Sequence, residues 1–131
     1  MEIRLADYVA DFLVKNGVTD GFTVIGGGAM HLNDAFGHKK GLNMIYNHHE
    51  QASSIAADCY ARVKNKPALL CVTTGPGGIN ALNGVCSSYL DSIPMIVISG
   101  QVRYDTSARY ERKKTGAKLR SMGDQEFDIV E

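Results

Sequence analysis

Glu50 is the side chain whose type and position best suit acid–base chemistry. It follows Asn47-His48-His49 and begins a run without Gly or Pro, so we place it at the start of a predicted helix. A glutamate there can simply be a first-turn acid that the helix dipole favours, which is the preferred interpretation for an isolated Glu. The same position, directly after a predicted strand, is also where open α/β sheets bind ligands.

His48 and His49 raise the question of a metal site beside Glu50. Adjacent residues do not share one helical face, and no third ligand stands at a spacing typical of a zinc site. We therefore predict no metal site in this chain.

Two glycine-rich turns follow predicted strands and precede predicted helices, at Gly26-Gly27-Gly28 and at Gly75-Pro76-Gly77-Gly78. Helix N-termini at such turns offer unpaired N–H groups to anions. Neither turn completes the dinucleotide fingerprint G-x-G-x-x-G, because His31 and Asn80 occupy the places of the third glycine. The chain also has no phosphate loop of the G-x-x-x-x-G-K-[ST] type, so each turn on its own is no more than a strand-to-helix connection.

The sequence does not favour nucleophilic catalysis. No serine lies in a G-x-S-x-G turn. The cysteines Cys59, Cys71 and Cys86 are odd in number and form no C-x-x-C, so we interpret them as buried free thiols in a reducing, cytoplasmic compartment. Cys71 lies inside an apolar run, where burial makes a thiol unreactive.

The composition is that of one globular domain. The 131 residues are 44 % hydrophobic and 21 % charged, which is enough apolar side chain for a single core and excludes a disordered chain. Fourteen Lys and Arg balance fourteen Asp and Glu, which argues against a nucleic-acid or membrane-surface binder. The apolar runs are too short to span a membrane.

Strands and helices alternate along the chain. We predict strands at 22–25, 42–46, 68–73 and 95–99, and helices at 5–13, 30–36, 50–63 and 80–90. The last two strands are apolar on both faces, which predicts a doubly wound, mostly parallel sheet with helices on both sides. The predicted core comprises Val9, Phe12, Leu13, Val24, Ile55, Leu70, Val72, Ile96 and Ile98.

The segment from Arg103 to Gly123 is strongly basic and poor in apolar residues. A basic segment can meet an anionic ligand, but most charge runs are solvated surface, and that is the interpretation we favour. We expect the segment to lack regular structure over most of its length and to lie close enough to the site to cover it.

Several strings, taken together and in order, resemble the thiamine-diphosphate-dependent enzymes. They are residues 22–30 (FTVIGGGAM), 49–62 (HEQASSIAADCYAR), 72–80 (VTTGPGGIN), 91–102 (DSIPMIVISGQV) and 125–130 (QEFDIV). The resemblance runs from the first helix to the end and is nearest to the pyrimidine-binding (PYR) domain of the acetolactate-synthase-like branch. The departures are Val24 and Ile25 in place of Tyr-Pro, Asp58 and Cys59 in the helix, and Asp124 where that branch has Phe.

The resemblance implies a role for each matching residue. In the family, a carboxylate at the position of Glu50 hydrogen-bonds N1′ of the aminopyrimidine and promotes its imino tautomer. Gly26, Gly27, Thr74, Gly75 and Asn80 match positions that shape the pyrimidine pocket, and Gln101 matches a residue close to the active site. The implied activity is that of a 2-keto-acid carboligase or decarboxylase.

The family binds the diphosphate and Mg²⁺ on a second domain that carries a G-D-G motif, and this chain has no G-D-G. The resemblance therefore implies that residues 1–131 form a single PYR domain of a longer or split enzyme, inactive alone. Its implied partner is the diphosphate domain of the same or another chain, in a homo-oligomer. Whether FAD is also bound stays open.

Two alternatives remain at this point. One is the small subunit of a split 2-keto-acid decarboxylase. The other is a non-catalytic α/β domain that binds a protein partner and keeps only the shape of the family. The presence of Glu50 favours an enzyme, because a degenerate relative is expected to lose it.

Overall fold

A computed structural model describes residues 2–123, 125 and 126. The helices are α1 (Leu5–Lys15), α2 (Met30–His38), α3 (Glu50–Lys64), α4 (Pro76–Asn80), α5 (Leu82–Leu90) and α6 (Ala108–Thr115). The strands are β1 (Asp20–Thr23), β2 (Asn43–Tyr46), β3 (Ala68–Val72) and β4 (Met95–Ser99). Single turns of 3-10 helix lie at Gly27–Ala29 and Tyr104–Thr106.

The four strands form one parallel sheet in the order β2-β1-β3-β4. Phe22 pairs with Ile45 on one side and with Leu70 on the other, and Leu70 pairs in turn with Val97. The chain leaves β1 towards β2 and leaves β3 towards β4, so the strand order reverses between the neighbouring strands β1 and β3. In open α/β sheets this switch point opens a crevice at the carboxyl ends of the strands.

Helices cover both faces of the sheet. Leu69 and Cys71 of β3 lie in a core with Leu13 of α1 and Phe36 of α2. The alternate β3 residues, Ala68, Leu70 and Val72, lie in a second core with Ala57 and Ala61 of α3. The predicted doubly wound parallel α/β fold is therefore confirmed.

The α3–α5 contact is close because small residues line it. A methyl group added at Gly84 of α5 would lie 2.5 Å from the backbone carbon of Ser54 in α3. Asp58, buried in α3, accepts hydrogen bonds from Arg62 and from Ser88 of α5. The Arg62 guanidinium is the main cause of the lowered pKa of Asp58. Asp58, one of the departures from the family pattern, therefore joins α3 to α5.

The predicted strands lie within two residues of those observed, and the predicted helices are present. Leu13, Leu70 and Val72 are buried as predicted; Val9, Ile96 and Ile98 pack partly buried against the core, and Val24 is half-buried. Phe12 and Ile55 were wrongly predicted in the core: they are 55 % and 45 % exposed, because α1 and α3 turn other residues to the sheet.

Three further expectations need correction. The turn predicted at 75–78 is mostly the start of α4, because Pro76 suits the first helical position. The 103–123 segment, expected to be largely irregular, contains α6, which Ser107 caps through the N–H of Tyr110. Cys59 and Cys86 are exposed and not buried, whereas Cys71 is buried.

No helix within the described residues combines the length and apolar character needed to cross a membrane.

Candidate functional site

A cleft of about 970 Å³ opens at the switch point between β1 and β3. The turn after β1 contributes Gly26, Gly27 and Gly28, and the end of β3 contributes Thr73 and Thr74. The remaining lining residues come from other elements and are Ile25, Met30, His31, Glu50, Gln101, Val102, Arg103, Thr106, Met122, Gly123 and Gln125. Its volume lies within the range of about 300–1,000 Å³ that small-molecule sites occupy.

Glu50 reaches this cleft from the first position of α3. The residue that caps α3 is His49, whose Nδ1 accepts a hydrogen bond from the N–H of Gln51 at 3.1 Å. Glu50 is therefore not needed as the cap. Its half-buried carboxylate instead accepts a hydrogen bond at Oε2 from the amide of Asn80, 3.1 Å away.

The second carboxylate oxygen, Oε1, lies next to the turn after β3. A methyl group added at Gly77 would come within 3.2 Å of it. Among residues 2–123, 125 and 126, none donates a hydrogen bond to Oε1. The carboxylate is thus fixed by one oxygen and free to meet a ligand with the other.

Thr73 joins the two glycine-rich turns. Its Oγ1 accepts a hydrogen bond from the N–H of Gly28 at 3.1 Å. A methyl group at Gly26 would lie 2.6 Å from the same Oγ1, and one at Gly77 would lie 2.7 Å from Cγ2. Glycines of both turns therefore pack directly on this one side chain.

Thr74 and Gln101 form the wall of the cleft on the side of β4. The buried Thr74 hydroxyl donates to Oε1 of Gln101 at 2.5 Å, and the N–H of Val102 donates to the same atom at 2.8 Å. These two bonds hold Gln101 at the mouth of the cleft although the residue itself is exposed.

The structure brings the predicted site residues together. Glu50, Gly26, Gly27, Thr74 and Gln101 all line the cleft. Asn80 does not line the cleft itself, but its amide donates a hydrogen bond to Glu50. Gly75, the N-cap residue before α4, has φ 62° and ψ −121°, a conformation that is accessible essentially to glycine. Asp124 lies outside the described residues.

Sequence reasoning missed Thr73 and the capping role of His49. A threonine after a strand carries no signal of its own, because its importance comes from the glycines that approach it in space. The capping role of His49 had a weak signal, since it immediately precedes the first helical residue.

The structure does not support a cysteine nucleophile at Cys71 or a metal site among the described residues. Burial raises the pKa of the Cys71 thiol to about 11, so it stays protonated and unreactive at neutral pH. In the described part of the chain, no three His, Cys, Asp or Glu side chains are grouped so that they could hold a metal ion.

Comparisons with known proteins show the family of the chain. Residues 3–130 match the family model of the thiamine pyrophosphate (TPP) enzyme, N-terminal TPP binding domain. Over 97 residues, 74 % of the chain, it is 42 % identical to the acetolactate synthase large subunit of Buchnera aphidicola subsp. Schizaphis graminum. Over the same length it is 38 % identical to the acetolactate synthase isozyme 3 large subunit of Escherichia coli and 35 % identical to the chloroplastic acetolactate synthase of Arabidopsis thaliana.

The aligned part covers only 17 % of each bacterial relative and 14 % of the plant protein. The chain thus spans a small part of the relatives that it matches, whereas the family model matches it almost from end to end. On that match, the chain belongs to the thiamine pyrophosphate enzymes, as an N-terminal TPP-binding domain.

Proposed function

We propose that the chain is the pyrimidine-binding half of a thiamine-diphosphate-dependent enzyme that acts on 2-keto acids, and that Glu50 activates the aminopyrimidine through N1′. The observation that carries the proposal is the Glu50 carboxylate. The amide of Asn80 donates a hydrogen bond to its Oε2, and no described residue donates a hydrogen bond to its Oε1. The residue that caps α3 is His49, so Glu50 is not required for that role.

The cleft suits an aminopyrimidine ring. Ile25 and Met30 line it and are 67 % and 58 % exposed, so apolar surface is available to a flat ring. No described atom lies within 4 Å of the point where a side chain would begin at Gly27, which leaves the space above that turn open. An unpartnered carboxylate oxygen beside such apolar surface is a suitable partner for a ring nitrogen.

The residues of the chain divide the task. Oε1 of Glu50 is the atom that would exchange a proton with N1′, because no described residue donates a hydrogen bond to it. Asn80 is a positioning residue, because its amide fixes the rotation of the Glu50 carboxylate. The thiazolium ring of the cofactor supplies the electron sink for decarboxylation of the 2-keto acid.

A partner domain would complete the site. Residues 1–131 form one PYR domain of a longer enzyme, and a diphosphate-binding domain of the same or another chain supplies the Mg²⁺ and diphosphate contacts, within a cytoplasmic homo-oligomer. The short coverage of the relatives supports the need for further domains. Ile79 and Leu82, on either side of Asn80 along the chain, are 41 % and 53 % exposed and offer apolar surface for that partner.

The test is Glu50→Gln in the complete enzyme. The amide keeps the size of the side chain but cannot relay a proton, so the rate of 2-keto-acid decarboxylation should fall by more than about 10²-fold. The same loss is expected in the exchange of the C2 proton of the cofactor, with the cofactor still bound. Glu2→Gln, an exposed glutamate on the N-terminal segment, is the matched control.

Unchanged C2-proton exchange in Glu50→Gln would remove Glu50 from the mechanism. Titration calorimetry of the isolated chain with thiamine diphosphate and Mg²⁺ tests the partner separately. We expect weak binding and no turnover, and tight binding by this chain alone would contradict a diphosphate site on another domain.

A further inference from the structure

The cations of the chain are concentrated in one segment, residues 103–120. It holds Arg103, Arg109, Arg112, Lys113, Lys114, Lys118 and Arg120, half of the fourteen Lys and Arg, against only Asp105 and Glu111. The chain as a whole carries no net charge. The positive charge is therefore local, and its position relative to the cleft decides what it can do.

The chain lies at the cleft both where it enters this segment and just after it leaves it. Arg103 and Thr106 line the cleft where the chain enters the segment, and Met122 and Gly123 line it where the chain returns. The two ends touch, since a methyl group at Gly123 would lie 3.0 Å from the carbonyl oxygen of Thr106. Residues 107–121 are thus a compact excursion from the rim of the cleft.

The excursion is an ordered structure. Ser107 caps α6, and the N–H of Ala108 donates to the buried Glu126 carboxylate at 3.1 Å. The rings of Tyr104 and Tyr110 pack edge to face with centroids 5.4 Å apart. These contacts fix the start of α6 on the protein, and Arg109 and Lys113 of this helix are exposed.

Four cations of the excursion, Arg109, Lys113, Lys118 and Arg120, are what we call the basic rim, although the residues that line the cleft itself are the flanking Arg103, Thr106, Met122 and Gly123. None of the four cations takes part in a salt bridge within residues 2–123, 125 and 126, whereas Arg103 is paired with Asp105. Arg109 lies in the first turn of α6, where the helix dipole disfavours a cation. It also stands four residues from Lys113, and like charges at that spacing repel. Helix stability therefore does not account for the charge of Arg109, whereas Lys113 lies in the last turn of α6, where the dipole favours a cation.

We propose that the basic rim binds the phosphate group of an acceptor substrate whose reactive carbonyl lies in the cleft. This inference rests on the proposed function, because it assigns a chemical class to the second substrate of that site. Lys113 is about 7.5 Å along the helix axis from Ala108, the first residue of α6 and two residues after Thr106 of the cleft, at a rise of roughly 1.5 Å per residue. The acceptor is accordingly longer than a simple 2-keto acid, with its phosphate several bonds from its carbonyl.

A phosphorylated small molecule fits this arrangement better than a nucleic acid. A strand of nucleic acid needs a basic surface that continues along its backbone. Here the cations occupy one short excursion beside the cleft. Arginine and lysine together can hold a phosphate through charge-assisted hydrogen bonds.

The test compares ribose 5-phosphate with ribose as ligands of the complete enzyme saturated with thiamine diphosphate and Mg²⁺. Calorimetry should show that the wild-type enzyme binds ribose 5-phosphate at least about tenfold more tightly than ribose. The variant Arg109→Gln with Lys113→Gln should lose most of that preference. The preference of the wild-type enzyme should also weaken as ionic strength rises.

The matched control is Lys40→Gln with Lys66→Gln. It removes the same charge from two exposed lysines that precede β2 and β3, at the opposite edge of the sheet. We expect the control to keep the preference within about twofold. Equal loss in both double variants, or no preference in the wild-type enzyme, would overturn the inference.

Release of CO₂ from pyruvate by the wild-type enzyme is measured in parallel. Its absence would count against the proposed function, whereas the equilibrium comparison of the two sugars would still decide the basic rim. A single-stranded oligonucleotide that binds more tightly than ribose 5-phosphate and competes with it would also overturn the inference.

Discussion

The turn after β1 and the turn after β3 are both rich in glycine, yet their glycines meet different requirements. Gly26 has an extended backbone that any residue can adopt, but its neighbour Thr73 leaves no room for a side chain. Gly75 has a backbone that only glycine adopts readily. Gly27 faces open space, and Gly77 touches both Thr73 and the Glu50 carboxylate. Glycine is therefore needed at Gly26 for packing and at Gly75 for the backbone conformation, and at Gly27 it leaves space for a ligand.

Thr73 couples the two turns. It contacts the first turn through Gly26 and Gly28 and the second through Gly77. A substitution in one turn should change the structure or stability of the other turn only when it displaces the Thr73 side chain. Four substitutions test that distinction.

Gly26→Ala should have the largest effect on stability. The added methyl group collides with Cβ of Thr73, an atom that no rotation of the side chain can move away. We expect the free energy of unfolding, measured by urea denaturation, to fall by about 3 kcal/mol. Because Thr73→Ser keeps Cβ, it should not rescue this variant.

Gly75→Ala should lower the free energy of unfolding by about 2 kcal/mol, the strain of placing an L side chain at a φ of 62° and a ψ of −121°. This effect is in the backbone, so it should be independent of Thr73. A double-mutant cycle with Thr73→Ser should therefore give a coupling energy near zero. A large coupling energy would show that the two turns are less separate than the contacts indicate.

Gly77→Ala should cost about 1 kcal/mol, because the nearest atom, Cγ2 of Thr73, can be displaced. Thr73→Ser removes that methyl group and should relieve most of the cost in a double-mutant cycle. The substitution also crowds Oε1 of Glu50, so the complete enzyme should lose activity even where stability is restored. Full activity of the rescued double variant would argue against a role for that oxygen.

Gly27→Ala should change the free energy of unfolding by no more than about 0.5 kcal/mol, since the new methyl group meets no described atom. Its effect should appear instead as a weaker affinity of the complete enzyme for thiamine diphosphate. If stability falls as far as in Gly26→Ala, the distinction between the two glycines is wrong.

The fold was predictable because β3 and the helices before and after it carry strong local patterns. The continuous apolar run at 68–72 indicates a strand covered on both faces, and the structure places it at the centre of the sheet. Phe12 and Ile55 were wrongly predicted for the same reason, which is that α1 and α3 bury small residues. The buried face of α1 includes Ala10, and that of α3 includes Ser53 and Ala57. A prediction that places the largest apolar side chains in the core therefore chooses the wrong face of each helix.

The site was predictable only in part. The positions of Glu50 and the glycine turns followed from their places after strands, because parallel strands bring such turns to one edge. The role of Thr73 depends on contacts between segments about 45 residues apart along the chain, to Gly28 for example, which no local pattern encodes. Similarly, α6 forms through Ser107, Tyr104 and Tyr110, although the mean composition of its segment predicts a loop.

The contact between Thr106 and Gly123 closes the excursion at its base, and this has a consequence for how the protein can diverge. The entropy of closing a loop grows only with the logarithm of its length, so doubling residues 107–121 would cost about 0.6 kcal/mol. Insertions and deletions there leave the hydrogen bonding of the sheet untouched. The excursion is therefore a part of the fold where length and charge can vary among descendants while the sheet and the position of Glu50 are conserved.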